Sequence, residues 1–84
     1  MPYIKQDRRE EVSLLIGPLA DRADTPGELN FQLTEIVKRY WDGRKNYQAI
    51  NDIVGALEGA KLEFYRRVAA PYEDSKIAEN GDVY

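Results

Sequence analysis

An all-α fold is predicted for this chain on three observations. Apolar residues recur every three to four positions in three separate stretches, Val12 to Leu19, Leu29 to Tyr40 and Ile50 to Val68. Helix-start signals precede all three: Asp7 with Glu10, Thr25-Pro26 with Glu28, and Asn46. Helix-stop signals, Asp42-Gly43 and Asn80-Gly81, fall where the periodic pattern lapses. The expected architecture is a small helical bundle of three main helices with a C-terminal helical or extended arm. It is read as one domain, residues 1–84, because 84 residues support a single core of marginal size, a regime in which oligomerisation often helps.

The first helix is expected to open at Asp7, whose carboxylate accepts from the first orphan amides while Glu10 reaches back, with Val12, Leu15, Ile16 and Leu19 as its apolar stripe. Gly17-Pro18 predicts a kink or an early stop, since proline brings no amide and glycine is a poor helix former. Arg8 and Arg9 read as solvated charges.

"TPGE" sets the second helix: Thr25 as N-cap, Pro26 at the first position where a missing amide is harmless, and Glu28 as the returning carboxylate. Leu29, Leu33, Ile36, Val37 and Tyr40 form its stripe, and Phe31 and Trp41 lie off it. Trp41 is read as a rim or interface anchor in preference to a ligand-stacking ring.

Asn46 caps the third and longest helix, expected to run to the residue before Pro71. Ile50, Ile53, Val54, Leu57, Ala60, Phe64 and Val68 share the face expected to meet the first two helices. The opposite face carries Gly55 and Gly59, each costing about 1 kcal/mol relative to alanine, which predicts close contact with the C-terminal segment or with another subunit. Pro71 is expected to open a fourth short helix ending at Asn80-Gly81, and terminal Tyr84 is either a frayed end or an interface plug.

Composition excludes several chemistries. The chain has no cysteine and no histidine, which removes disulfides, thiolate chemistry and the commonest general base and metal ligand. A net charge of −3 argues against a duplex nucleic-acid binder. The opening "MPYIKQDRREEV" lacks the apolar run of a signal peptide and no stretch has membrane-spanning length, so a cytoplasmic protein without membrane contact is expected. No P-loop or dinucleotide fingerprint is present, Ser13 and Ser75 have no histidine to activate them, and the carboxylates show no paired spacing for magnesium. No catalytic residue, metal ligand or cofactor is therefore assigned, and the chain is read as not an enzyme.

Candidate binding residues cluster late in the chain: Lys61, Tyr65, Arg66, Arg67 and Tyr72. If the glycine face is covered, these aromatic and cationic groups meet at a junction, where they can either knit subunits together or stack on and neutralise a small anionic ligand. Lys61 falls within the apolar stripe, which suits a snorkelling side chain paired with Glu58 or Glu63 as well as a phosphate contact. Arg66 and Arg67 point to different faces and form one clamp only if different subunits contribute them.

"MPYIKQ", "TPGELN" and "AKLEFYRRVAAPYEDSKIAENGDVY" resemble an uncharacterised family of short proteins of phage and prokaryotic genomes. The resemblance spans nearly the whole chain and implies no activity. A phage setting would place the chain in the host cytoplasm. It also raises the class of small helical sponges that oligomerise and sequester cyclic nucleotide immune signals, which this chain is similar to in size and class, not in motif. The expected function is a non-catalytic homo-oligomer, formed through the glycine-bearing face of the third helix, holding a small anionic nucleotide at a subunit junction. The alternative is a protein interaction module without a small ligand, for oligomerisation or inhibition of a host effector. A metal-dependent nucleotide hydrolase would need packing to assemble a cluster such as Glu28, Glu35 and Glu58.

Overall fold

The computed structural model describes residues 3–84, so the first two residues of the "MPYIKQ" block lie outside the described residues. Helices α1 (Gln6–Ala20), α2 (Pro26–Asp42) and α3 (Tyr47–Phe64) are followed by a π-helical turn, Tyr65–Ala69, that leads directly into α4 (Ala70–Asn80). The all-α class, with three main helices and a C-terminal helical arm, is thus the one the sequence predicts. Two compact units, Met1–Arg39 and Tyr40–Tyr84, divide the chain near the end of α2.

In the first unit, α1 departs from expectation at both ends. It begins at Gln6 with Lys5 as N-cap and no side-chain cap, while Asp7 lies inside the first turn and accepts from the Arg8 amide at 2.9 Å. Asp7 is therefore not the cap. Pro18 does not stop the helix, which runs on to Ala20, and the Asp21 amide returns to the Gly17 carbonyl at 2.9 Å. Proline this close to a C-terminus removes only one ladder bond, so the last turn survives it. Arg8 is not a free surface cation: its guanidinium pairs with Glu11 at 2.8 Å.

The start of α2 follows its sequence code. The Glu28 amide donates to Thr25 Oγ1 at 3.1 Å, and the Glu28 carboxylate accepts the Asp24 amide at 2.6 Å, so both groups reach across the first turn. Asn46 caps α3 equally directly, its Oδ1 accepting from the Ala49 amide at 2.7 Å. Between α2 and α3 the Arg44 and Lys45 amides both return to the Trp41 carbonyl at 2.9 Å. The residue that adopts the left-handed conformation there is Lys45, at φ 51°, and not Gly43. A side chain is strained in that region and glycine is not.

The second unit places Pro71 in the first turn of α4, which ends at Asn80 as expected, and joins that helix to α3 without a break. Widening the helix at Tyr65–Ala69 lets the Ala70 amide donate to the Tyr65 carbonyl five residues back, and the helical path continues through the proline. The clash of a proline ring with the carbonyl four residues earlier is what usually breaks a helix, and a wider turn relieves it. Gly81 then ends α4 at φ 88°, its amide reaching the Ile77 carbonyl at 2.8 Å.

Among the described residues only Ala49 is buried, at 1% exposure. On the α3 stripe Ile50, Val54, Leu57, Phe64 and Val68 are exposed, as are Leu29, Leu33, Ile36 and Tyr40 on α2. On the glycine face, a Cβ built on Gly55 or Gly59 meets no atom within 4 Å. The C-terminal segment does not cover those glycines, because the π turn carries it onward in α4.

Candidate functional site

Two places concentrate side chains with something left to bind, one in each unit. In the first unit an open groove of about 850 Å³ lies between α1 and α2. Leu15, Ile16 and Leu19 of α1 supply one wall, and Phe31 and Ile36 of α2 the other. Helical spacing places 15, 16 and 19 close together on α1, whereas 31 and 36, five positions apart on α2, flank the groove-facing stripe of Glu28, Gln32, Glu35 and Arg39 from opposite sides. Phe31 is 67% exposed, an apolar ring held in solvent. Gln32 links the two helices, its Nε2 donating to the Leu19 carbonyl at 2.8 Å and satisfying one orphan acceptor at the end of α1.

The groove rim is charged with both signs. Glu28 and Arg39 lie at opposite ends of the α2 wall, with Glu35 between them contacting Lys38 at 3.7 Å and Arg39 at 3.4 Å. These are solvent-exposed pairs, each worth at most about 0.5 kcal/mol to the helix, so they can be exchanged for contacts to a partner at little cost. The sequence reading did not assemble this groove. Its signal was Phe31, which the α2 stripe left unexplained.

In the second unit the π turn collects three of the five predicted binding residues, Tyr65, Arg66 and Arg67, in consecutive positions. Lys61 stands one turn earlier and pairs with Glu58 at 3.7 Å, the partner that a snorkelling lysine was expected to find. Arg67 pairs with Glu63. No ion pair or hydrogen bond holds the Arg66 side chain among the described residues. Tyr72 is exposed on α4 with the Lys76 ammonium 5.5 Å from its ring centroid. The five residues thus share one continuous helical stretch, from α3 through the π turn into α4.

Among the described residues no group of three histidine, cysteine, aspartate or glutamate side chains is placed to hold a metal ion. No described helix is long and apolar enough to cross a membrane. Trp41 is half-buried and Tyr84 is fully exposed, its amide turned back to Asp82 Oδ1 at 2.9 Å.

The fold defines a small all-α protein whose second and third helices begin at side-chain caps. The chain belongs to the family described as Domain of unknown function (DUF6899), whose model matches residues 1–83. No curated protein and no solved structure matches it.

Proposed function

We propose that the protein is a non-catalytic interaction module that completes its core by assembling with copies of itself. The observation that carries this reading is the exposure of the α2 and α3 stripes beside a single buried residue, Ala49. Fully burying a leucine, isoleucine, valine or phenylalanine side chain contributes about 1.5–3 kcal/mol, and marginal chains of this size fold only when such contributions offset conformational entropy. Helix caps at Thr25 and Asn46 define where helices begin, but caps of about 1 kcal/mol each do not replace a core. The absence of cysteine and histidine from the sequence supports the non-catalytic part.

Native mass spectrometry and circular dichroism across a dilution series test it. A discrete oligomer whose helical signal falls as it dissociates is expected. A monomer that keeps full helicity on dilution would overturn the reading.

A second reading, a small anionic ligand held at a subunit junction, is favoured by the π turn. Such turns concentrate at functional sites, and this one presents Tyr65 for stacking beside Arg66, a guanidinium not committed to a carboxylate among the described residues. Lys61 and Arg67 would first have to exchange Glu58 and Glu63 for the ligand. Mixing the oligomer with cyclic di- and trinucleotides in the mass spectrometer, with Arg66→Ala as the comparison, tests it. Added ligand mass that the variant loses while keeping its oligomeric state supports a pocket; a variant that falls to monomer makes Arg66 an interface residue, and an oligomer that takes up nothing removes the ligand.

A further inference from the structure

We infer that the occupant of the α1–α2 groove is the α2 helix of a second copy, lying antiparallel to the first about a two-fold axis between Leu33 and Thr34. The inference rests on the assembly reading above and specifies its interface. Along α2 the groove is lined by Glu28, Phe31, Gln32, Glu35, Ile36 and Arg39. When two such helices run antiparallel in this register, position 28 faces 39 and position 32 faces 35 along the seam, with 31 and 36 on its two flanks. Any helical stripe of this spacing is symmetric in position. What singles out this one is that its chemistry is complementary to its own reversal.

Glu28 meets Arg39 of the second copy, and because the contact is isologous the pair forms twice, once at each end. Phe31 and Ile36 lie on opposite flanks of this seam, so the Phe31 rings of the two copies share one flank and the Ile36 side chains the other. Gln32 meets Glu35 at the centre, amide against carboxylate. In the parallel orientation each charge faces its own kind, Glu28 on Glu28, Glu35 on Glu35 and Arg39 on Arg39, which disfavours that arrangement. The two end pairs are separated by eleven residues, about 16 Å of helix, so they set register as well as orientation.

The groove suits this occupant in two further respects. Arg39 has a side chain 78% exposed and held only by the 3.4 Å contact to Glu35, leaving guanidinium hydrogens for a second carboxylate. Gln32 is fixed by the Leu19 carbonyl, so the α2 wall is already tied to α1 before a partner arrives.

Charge exchange tests the inference. E28R and R39E, each alone, put like charges at both ends of the pair, and either should weaken dimerisation about tenfold. Mixed in equal amounts, the two variants put opposite charges at both ends and should form a heterodimer at close to wild-type affinity, read by native mass spectrometry. A second measurement does not depend on these charges. Because the chain has no cysteine, Q32C and E35C introduce the only thiols. The oxidised mixture of the two should crosslink readily as a heterodimer, and neither alone as efficiently.

Wild-type protein that is oligomeric, but indifferent to both charge variants and to the cysteine pair, would overturn the groove register while leaving assembly intact. Wild-type protein that is monomeric would overturn assembly and this interface together.

Discussion

The two units carry similar apolar side chains but present them in opposite ways. In the first, Leu15, Ile16 and Leu19 of α1 and Phe31 and Ile36 of α2 line an open groove with Glu28 and Arg39 on its rim. In the second, Val54, Leu57, Phe64 and Val68 run along one helical stretch that bends around nothing of its own, and they stand out as a ridge. A concave surface can select its occupant by shape and by rim charge together. A ridge selects mainly by area, which says little about what covers it.

Substitutions can break or sharpen this contrast. The largest effect is expected from placing a charge in the concavity: Phe31→Asp should weaken self-association by at least about a hundredfold, since it removes a buried ring and adds a carboxylate to desolvate. Val54→Asp on the ridge, 62% exposed in the chain, should have the smaller effect. Sedimentation equilibrium of both variants ranks the two surfaces, and the reverse order would make the α3 ridge the main interface.

The glycine face of α3 comes next. With nothing within 4 Å of either position, Gly55→Ala with Gly59→Ala should stabilise the protein by about 2 kcal/mol together, from helix propensity alone. A denaturant midpoint that falls instead would show that a second molecule packs its backbone against those glycines.

Removing the α3 cap by Asn46→Ala should cost about 1 kcal/mol at fixed protein concentration, because the Ala49 amide loses its acceptor. The smallest effect, a gain of about 0.5–1 kcal/mol, is expected for Lys45→Gly, which relieves a left-handed side-chain conformation at some cost in unfolded-state entropy. Thermal unfolding of each variant at matched concentration measures both. A Lys45→Gly protein no more stable than wild type would mean that the loop holds that strain for a reason outside the chain.

These contrasts also show what could be read from sequence. The Thr25, Asn46 and Gly81 signals were legible because a cap is satisfied by residues three or four positions away, and the structure places each where its local code requires. Asp7 misled because Gln6 and Lys5 extend the same helix by a turn's edge, leaving the aspartate inside it. Pro71 was legible as the start of α4, but the unbroken path into it was not, because no spacing rule for α-helices announces a five-residue return. Lys61 found Glu58 as its spacing allowed, whereas the groove at Phe31 stayed invisible because it exists only once the Asp21–Thr25 turn brings two helices side by side. The apolar stripes were read as core faces, and most of their residues are exposed. Periodicity states that a face must be covered and is silent on which chain covers it.

The π turn has one more consequence. A turn of this kind holds one residue more than the α-helical ladder around it, so it behaves as an inserted letter whose presence shifts the phase of everything after it by one position. Deleting a single residue between Tyr65 and Ala69 should therefore restore a uniform ladder and leave Tyr72 and Ile77 facing as they do now. It would also bring the ring of Pro71 against a carbonyl it now avoids. The extra residue and the proline are thus a matched pair, and a chain that lost either alone would have to bend or re-phase its C-terminal quarter.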